Sequence, residues 1–188
     1  TETQFESWRT MRGKIPFDRI TTRKGDDGLS SLYSGERLPK DDLVFQTLGD
    51  IDELTSFLGW ARAEKGLHPY QEQIKTLQRF LGKISSEIAT PPSNPLFPSL
   101  DTVQEADILS LEEWEKELLE ETEISGEFIL PGDTPVSARL DVCRAVCRRA
   151  ERSIVALIRR YQRDELLPCQ RYLNRMSDYL FVLARSME

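Results

Sequence analysis

The stretch from Leu140 to Leu157 admits one regular conformation. Leu140, Cys143, Cys147, Ala150, Ile154 and Leu157 recur at the 3.6-residue period and form a continuous apolar stripe along one side of a helix. Arg144, Arg148 and Glu151 fall along the edge of that stripe, and Arg149 projects to the far side. Arg144, Arg148 and Arg152 stack at i, i+4 and i+8, a spacing at which like charges repel. Something must offset them: Glu151 on the same helix, a bound anion, or water reached by snorkelling past an interface.

A helix with so long a buried stripe needs partners, and the chain supplies them. Asp41 or Asp42 can cap a helix running to about Glu64, with Val44, Leu48, Ile51, Thr55 and Leu58 inward. Its adjacent face carries Leu48, Asp52, Ser56, Gly59 and Ala63, mostly small residues that allow a second helix to come close. Asp52 in such a strip calls for a cationic partner. Tyr70, Ile74, Leu77, Leu81, Ile84 and Ile88 mark a helix over Pro69–Ala89. Four prolines between Pro91 and Pro98 predict a surface loop of about 15 residues. Helices follow over Asp107–Thr122, from a Ser137 cap to about Gln162, and after Pro168. In the last of these Asn174 is a poor interior helix residue, so it bonds locally or holds a ligand.

Five helices without a convincing strand pair predict an all-α fold, a five-helix up-and-down bundle of ferritin-like appearance. Residues 1–20 read as an extended or partly disordered N-terminal arm, and residues 21–188 as a single domain. The short apolar segment Phe128-Ile129-Leu130 is stopped by Pro131-Gly132, and on this evidence Phe128 reads as core.

The net charge of −7 argues against general nucleic-acid binding, which rests on phosphate neutralisation. Its distribution is uneven. Glu112–Glu123 holds seven glutamates against one lysine and reads as a solvated helix face, whereas Arg139–Arg163 holds eight arginines against Asp141 and Glu151. No apolar run approaches the roughly 20 residues of a membrane helix. Three cysteines, two of them four apart on one helix, fit packing rather than a disulfide framework. The single histidine, His68, reads as a surface residue, and no protein-held metal is expected.

Before the first long helix lies Thr22-Arg23-Lys24-Gly25-Asp26-Asp27-Gly28, followed by Ser30, Ser31 and Lys40. Glycines permit tight turns with exposed N–H groups, while the hydroxyls and three bases add donors and charge suited to phosphate. The Walker pattern GxxxxGK[ST] is absent, and the same stretch also reads as an ordinary Gly-Asp turn.

Five segments taken together resemble the signatures of PduO-type ATP:cob(I)alamin adenosyltransferases. They are Thr22–Gly28, Gly49–Leu54, Phe128–Gly132, Cys143–Arg152 and Tyr172–Tyr179. The resemblance implies a homotrimer with active sites between subunits, and transfer of the 5′-deoxyadenosyl group of ATP to cob(I)alamin with release of triphosphate. A reductase and an adenosylcobalamin-dependent acceptor enzyme are implied as partners. A non-catalytic bundle that binds ATP and cobalamin, as a cofactor chaperone or sensor, would carry the same ligand residues.

By matching position, Thr22, Arg23, Lys24, Gly25, Ser30, Ser31 and Lys40 are implied to hold ATP from the loop. Arg148, Arg149, Glu151, Arg152 and Asn174 complete that site from the helices, with Mg²⁺ bridging phosphates. Asp52 is implied to pair across subunits with Arg144, and Phe128 to lie under the corrin. Two positions depart from the family pattern: Asp133 stands where a second glycine is common, and Asp141 where a histidine is usual. An acid at either is expected to alter charge near the corrin. The expected compartment is the mitochondrial matrix for a eukaryotic source, with any transit peptide removed, and the cytoplasm for a bacterial one.

Overall fold

The computed structural model describes residues 14–32 and 34–188. After one helical turn, α1 (Phe17–Ile20), come two short strands, β1 (Leu29–Ser31) and β2 (Arg37–Pro39). Five long helices follow: α2 (Leu43–Arg62), α3 (Gln71–Ala89), α4 (Glu105–Glu121), α5 (Pro135–Tyr161) and α6 (Leu167–Arg185). The mostly helical architecture agrees with the sequence reading, and no helix among the described residues is long and apolar enough to cross a membrane. Residues 1–13 of the expected arm lie outside the described residues, and α1 occupies its end.

The hairpin departs from the expectation of no strand pairing. Leu29 pairs with Pro39, Ser30 with Leu38, and Ser31 with Arg37, antiparallel. Strands of three residues are too short to show a period-2 pattern. Leu32 is buried and Leu38 packs on the same core, so the hairpin anchors the loop that precedes it.

Helix ends follow capping chemistry. Asp42 accepts the Val44 N–H at 2.8 Å and starts α2 as expected. The cap of α5 is Thr134, not Ser137. Thr134 Oγ1 accepts the Ser137 N–H at 3.0 Å, and Ser137 Oγ accepts the Thr134 N–H at 3.0 Å. This reciprocal box seats Pro135 at the first helical position, where a missing N–H costs nothing. Ser137 is thus the box's return partner. At the other end Gln162 takes the left-handed conformation, φ 55°, and stops the helix.

All six stripe residues of α5 are completely buried, and the Cys147 thiol donates to the Leu173 carbonyl at 3.2 Å. Burial pushes the Cys143 thiol up to about 12, and those of Cys147 and Cys169 higher still, so all three serve packing. Chain direction alternates from α2 to α6. Asp42 at the start of α2 meets Tyr161 at the end of α5, and Thr134 at the start of α5 meets Met187 beyond α6. Helix α4 runs parallel to α6, with Glu105 on Arg171 and Glu112 on Arg175, and antiparallel to α3, where Lys83 meets Asp107. The loop between α3 and α4 is tied down by buried Glu87, whose Oε1 accepts the Val103 N–H at 2.7 Å.

Candidate active site

The arginine edge of α5 faces α6 across a cavity of about 310 Å³ lined by Arg148, Glu151, Arg152, Val155 and Asn174. Glu151 does not neutralise the ladder. Its Oε1 accepts from Asn174 Nδ2 at 3.1 Å and from Gln170 Nε2 at 3.4 Å. Asn174 in turn accepts from Arg175, so its amide is oriented at both ends, which answers why an asparagine sits inside a helix. Arg152 donates to the Arg148 carbonyl at 3.1 Å. Among the described residues neither Arg148 nor Arg152 has a carboxylate partner, and both side chains are exposed. Two unneutralised guanidiniums one turn apart beside an open cavity are suited to a polyanion.

Arg149 points the other way, as the helical projection requires. It binds Asp50 at 3.2 Å and also Glu53, both on α2, and Glu53 foremost raises its pKa. The structure therefore does not bring Arg149 to the cavity within one chain.

Arg144 and Asp52 are not paired within the chain either. Asp52 is exposed on α2 with Ser56 one turn on and Ala63 exposed just past the helix end, whereas Arg144 binds Asp141 at 3.4 Å and lies 6.0 Å over the Phe181 ring. Asp141 itself is 5% exposed, and its other oxygen accepts from Arg185 at 2.5 Å. Both of its oxygens are thus paired with arginines inside the chain. Asp133 is exposed, next to Gly132, whose φ of 117° only glycine adopts readily.

Of the loop residues, Thr22, Arg23, Lys24, Ser31 and Lys40 are exposed, and Gly25 and Ser30 half-buried. The Lys40 N–H donates to the Gly28 carbonyl at 2.9 Å. A Cβ on Gly25 would lie 2.9 Å from Lys40 Nζ, so the missing side chain leaves room for that ammonium. Arg37, which sequence reasoning missed, braces the turn by donating to the Lys24 carbonyl at 2.8 Å and to both Asp27 oxygens at 3.0 Å. The Leu29 N–H, with Arg37, holds the Asp27 carboxyl below its usual range. Its only sequence signal was opposite charge across a short turn. The loop is preformed, yet the cavity's lining comes from α5 and α6.

Phe128 is 90% exposed, which overturns its reading as core, and Leu130 is 73% exposed. Exposed large apolar groups in a connecting segment mark a contact surface.

The fold and the site define a mostly helical protein with two unneutralised guanidiniums beside an open cavity between two helices, and a second set of donors on a braced loop. The description of the cobalamin adenosyltransferase family matches residues 20–187, and the chain belongs to that family. It is 42% identical over 177 residues to the corrinoid adenosyltransferase MMAB of Bos taurus, covering 92% of this chain and 71% of the relative. It is 35% identical to the corrinoid adenosyltransferase of Citrobacter freundii, over 90% of this chain and 95% of that one. Among solved structures, a variant PduO-type ATP:corrinoid adenosyltransferase from Lactobacillus reuteri complexed with cobalamin and ATP superposes with a TM-score of 0.80. Its identity is 31%, with 88% of this chain and 91% of that chain covered.

Proposed function

We propose that the chain transfers the 5′-deoxyadenosyl group of ATP to cob(I)alamin, giving adenosylcobalamin and triphosphate. The observation that carries this reading is the pair of unneutralised arginines, Arg148 and Arg152, at a cavity whose far wall is the Glu151 and Asn174 hydrogen bond. Cobalt(I) supplies the electron pair for the new bond to C5′, and the bond from C5′ to the triphosphate oxygen breaks. Charge accumulates on the leaving triphosphate, where Arg148, Arg152 and the loop bases Arg23, Lys24 and Lys40 stabilise it. Glu151 accepts but cannot donate when ionised, so it faces the N–H or O–H donors of the nucleoside rather than phosphate. Among the described residues no group of three or more His, Cys, Asp or Glu is placed to hold a metal. Mg²⁺ would accompany ATP and offset charge on its phosphates.

The cavity is at the low end of the roughly 300–1,000 Å³ of small-molecule sites, and it needs another wall to enclose a nucleoside triphosphate. A second copy supplies that wall in a homotrimer with sites between subunits. The exposed strip of Asp52, Ser56 and Ala63 suits close approach, with Asp52 reaching Arg144 of the neighbour. Phe128, exposed on one chain, covers the lower face of the corrin and keeps water and the lower axial ligand from cobalt. A four-coordinate Co(II) then accepts an electron from a reductase more readily, and the product passes to an adenosylcobalamin-dependent enzyme.

The test is incubation with ATP, Mg²⁺ and chemically reduced cobalamin, following the corrin spectrum and triphosphate. Stoichiometric adenosylcobalamin and triphosphate are expected. A folded protein that binds ATP and forms neither overturns the proposal. Light scattering on the purified protein tests the trimer.

A further inference from the structure

The glutamate-rich run of α4 contributes no lining residue to the cavity between α5 and α6, and its C-terminal part borders a second cavity. This cleft, of about 200 Å³, lies between α3, α4 and α6, and is lined by Tyr70, Gln73, Trp114, Glu117, Glu121 and Tyr179 among others. Three aromatic rings and two carboxylates line it, and no lysine or arginine does. The Trp114 and Tyr179 rings sit 5.9 Å apart at 55°, so their faces are not parallel and a small group can meet more than one ring.

Further observations concern charge and hydrogen bonding. Glu117 and Glu121 stand at i and i+4 on α4, where like charges repel. Neither has an ion-pair partner among the described residues. Glu121 also occupies the last turn of α4, which carries no base, and an acid there opposes the negative end of the helix dipole. Tyr179 is 1% exposed and lines the cleft, yet its hydroxyl has no hydrogen-bond partner among the described residues.

We propose that this cleft binds a small organic cation of the alkylammonium class. The rings offer their negative faces to a desolvated positive charge, Glu117 and Glu121 neutralise it at the mouth, and the Tyr179 hydroxyl supplies a hydrogen-bonding group at the wall. An anion is excluded by the carboxylates. A neutral molecule of the same shape gains the ring contacts and forfeits the electrostatic ones.

The experiment titrates the ¹⁵N-labelled full chain with choline chloride or tetramethylammonium chloride at constant ionic strength, against the neutral isostere 3,3-dimethylbutan-1-ol. The Trp114 indole N–H is the reporter, assigned by its loss in Trp114→Phe. A saturable shift with either cation and none with the alcohol is expected. The double variant Glu117→Gln/Glu121→Gln, changed only at exposed side chains, should weaken cation binding about tenfold and leave adenosyl transfer unchanged. Equal binding of the alcohol makes the cleft merely apolar and overturns the proposal. So does a double variant that binds the cations as tightly as the parent, or the absence of any saturable shift.

Discussion

Replacing Asp141 by Asn should act on the stability of the fold and not on any ligand. The side chains of Asp141 and Arg185 are only 4% and 3% exposed, and Asp141 also holds Arg144. Removing one member of a buried ion pair leaves the other charge desolvated, which costs about 3–5 kcal/mol. Here Arg185 keeps partial compensation from Glu188, 2.7 Å from its Nε, and from the Phe181 ring at 5.3 Å. The loss should therefore fall at the low end, about 3 kcal/mol. For a chain of this size each kcal/mol shifts the melting temperature by about 2–4 °C, so a drop of about 6–12 °C is expected in a thermal scan. Urea unfolding gives the free energy directly. The double variant Asp141→Asn/Arg185→Met removes both charges and should recover most of the loss, since no buried cation remains. A loss under about 1 kcal/mol for the single variant, or no recovery in the double, would refute the reasoning.

Other outcomes follow from the site and the loop. Arg148→Ala should cost about 2 kcal/mol of transition-state stabilisation, roughly 30-fold in kcat/KM for ATP, with an unchanged melting temperature because the side chain is exposed. Phe128→Ala should leave stability within about 0.5 kcal/mol, since the ring is 90% exposed, and retain ATP binding. Its turnover should nevertheless collapse when cob(II)alamin must be reduced on the enzyme, as stopped-flow spectra of the corrin would reveal. Burial holds the Glu87 carboxyl above its ordinary range despite the Val103 N–H. A raised folded-state value means that Glu87's contribution is full below about pH 4.5 and is lost as pH rises through that raised value. Glu87→Gln removes this loss. Its stability relative to the parent should therefore grow between acid and neutral pH, measured by urea unfolding at each pH.

What the sequence revealed was whatever has a local signal. The α5 stripe and the α3 series were legible because burial repeats at the helical period, and Asp42 because a capping aspartate precedes its helix directly. Thr134 was misassigned because Pro135 looks like a breaker until it is seen at the first helical position. Phe128 misled because hydropathy cannot tell an apolar residue that packs from one that waits for a ligand. The partners of Asp141 and Glu151 were hidden for a different reason. Arg185 and Asn174 come from another helix, 44 and 23 residues along the chain, and nothing local encodes which faces of two helices will meet. Arg149 is the instructive case: periodicity alone placed it away from Arg148, and the structure finds it on α2.

The left-handed Gln162 has an effect far from its own helix. By turning the chain in one residue it delivers Arg163 into the interior, where its Nη2 and Nη1 donate to the Glu87 and Ile88 carbonyls at 2.8 and 3.3 Å. Those carbonyls belong to the last turn of α3, where Glu87's also accepts the Thr90 N–H at 3.3 Å and Ile88's has no donor from its own helix. The end of α3 is thus completed by a residue made 75 positions later than Ile88. On the ribosome, α3 emerges with a frayed end and stays so until the α5–α6 turn has been synthesised, so the chain closes its second long helix almost last.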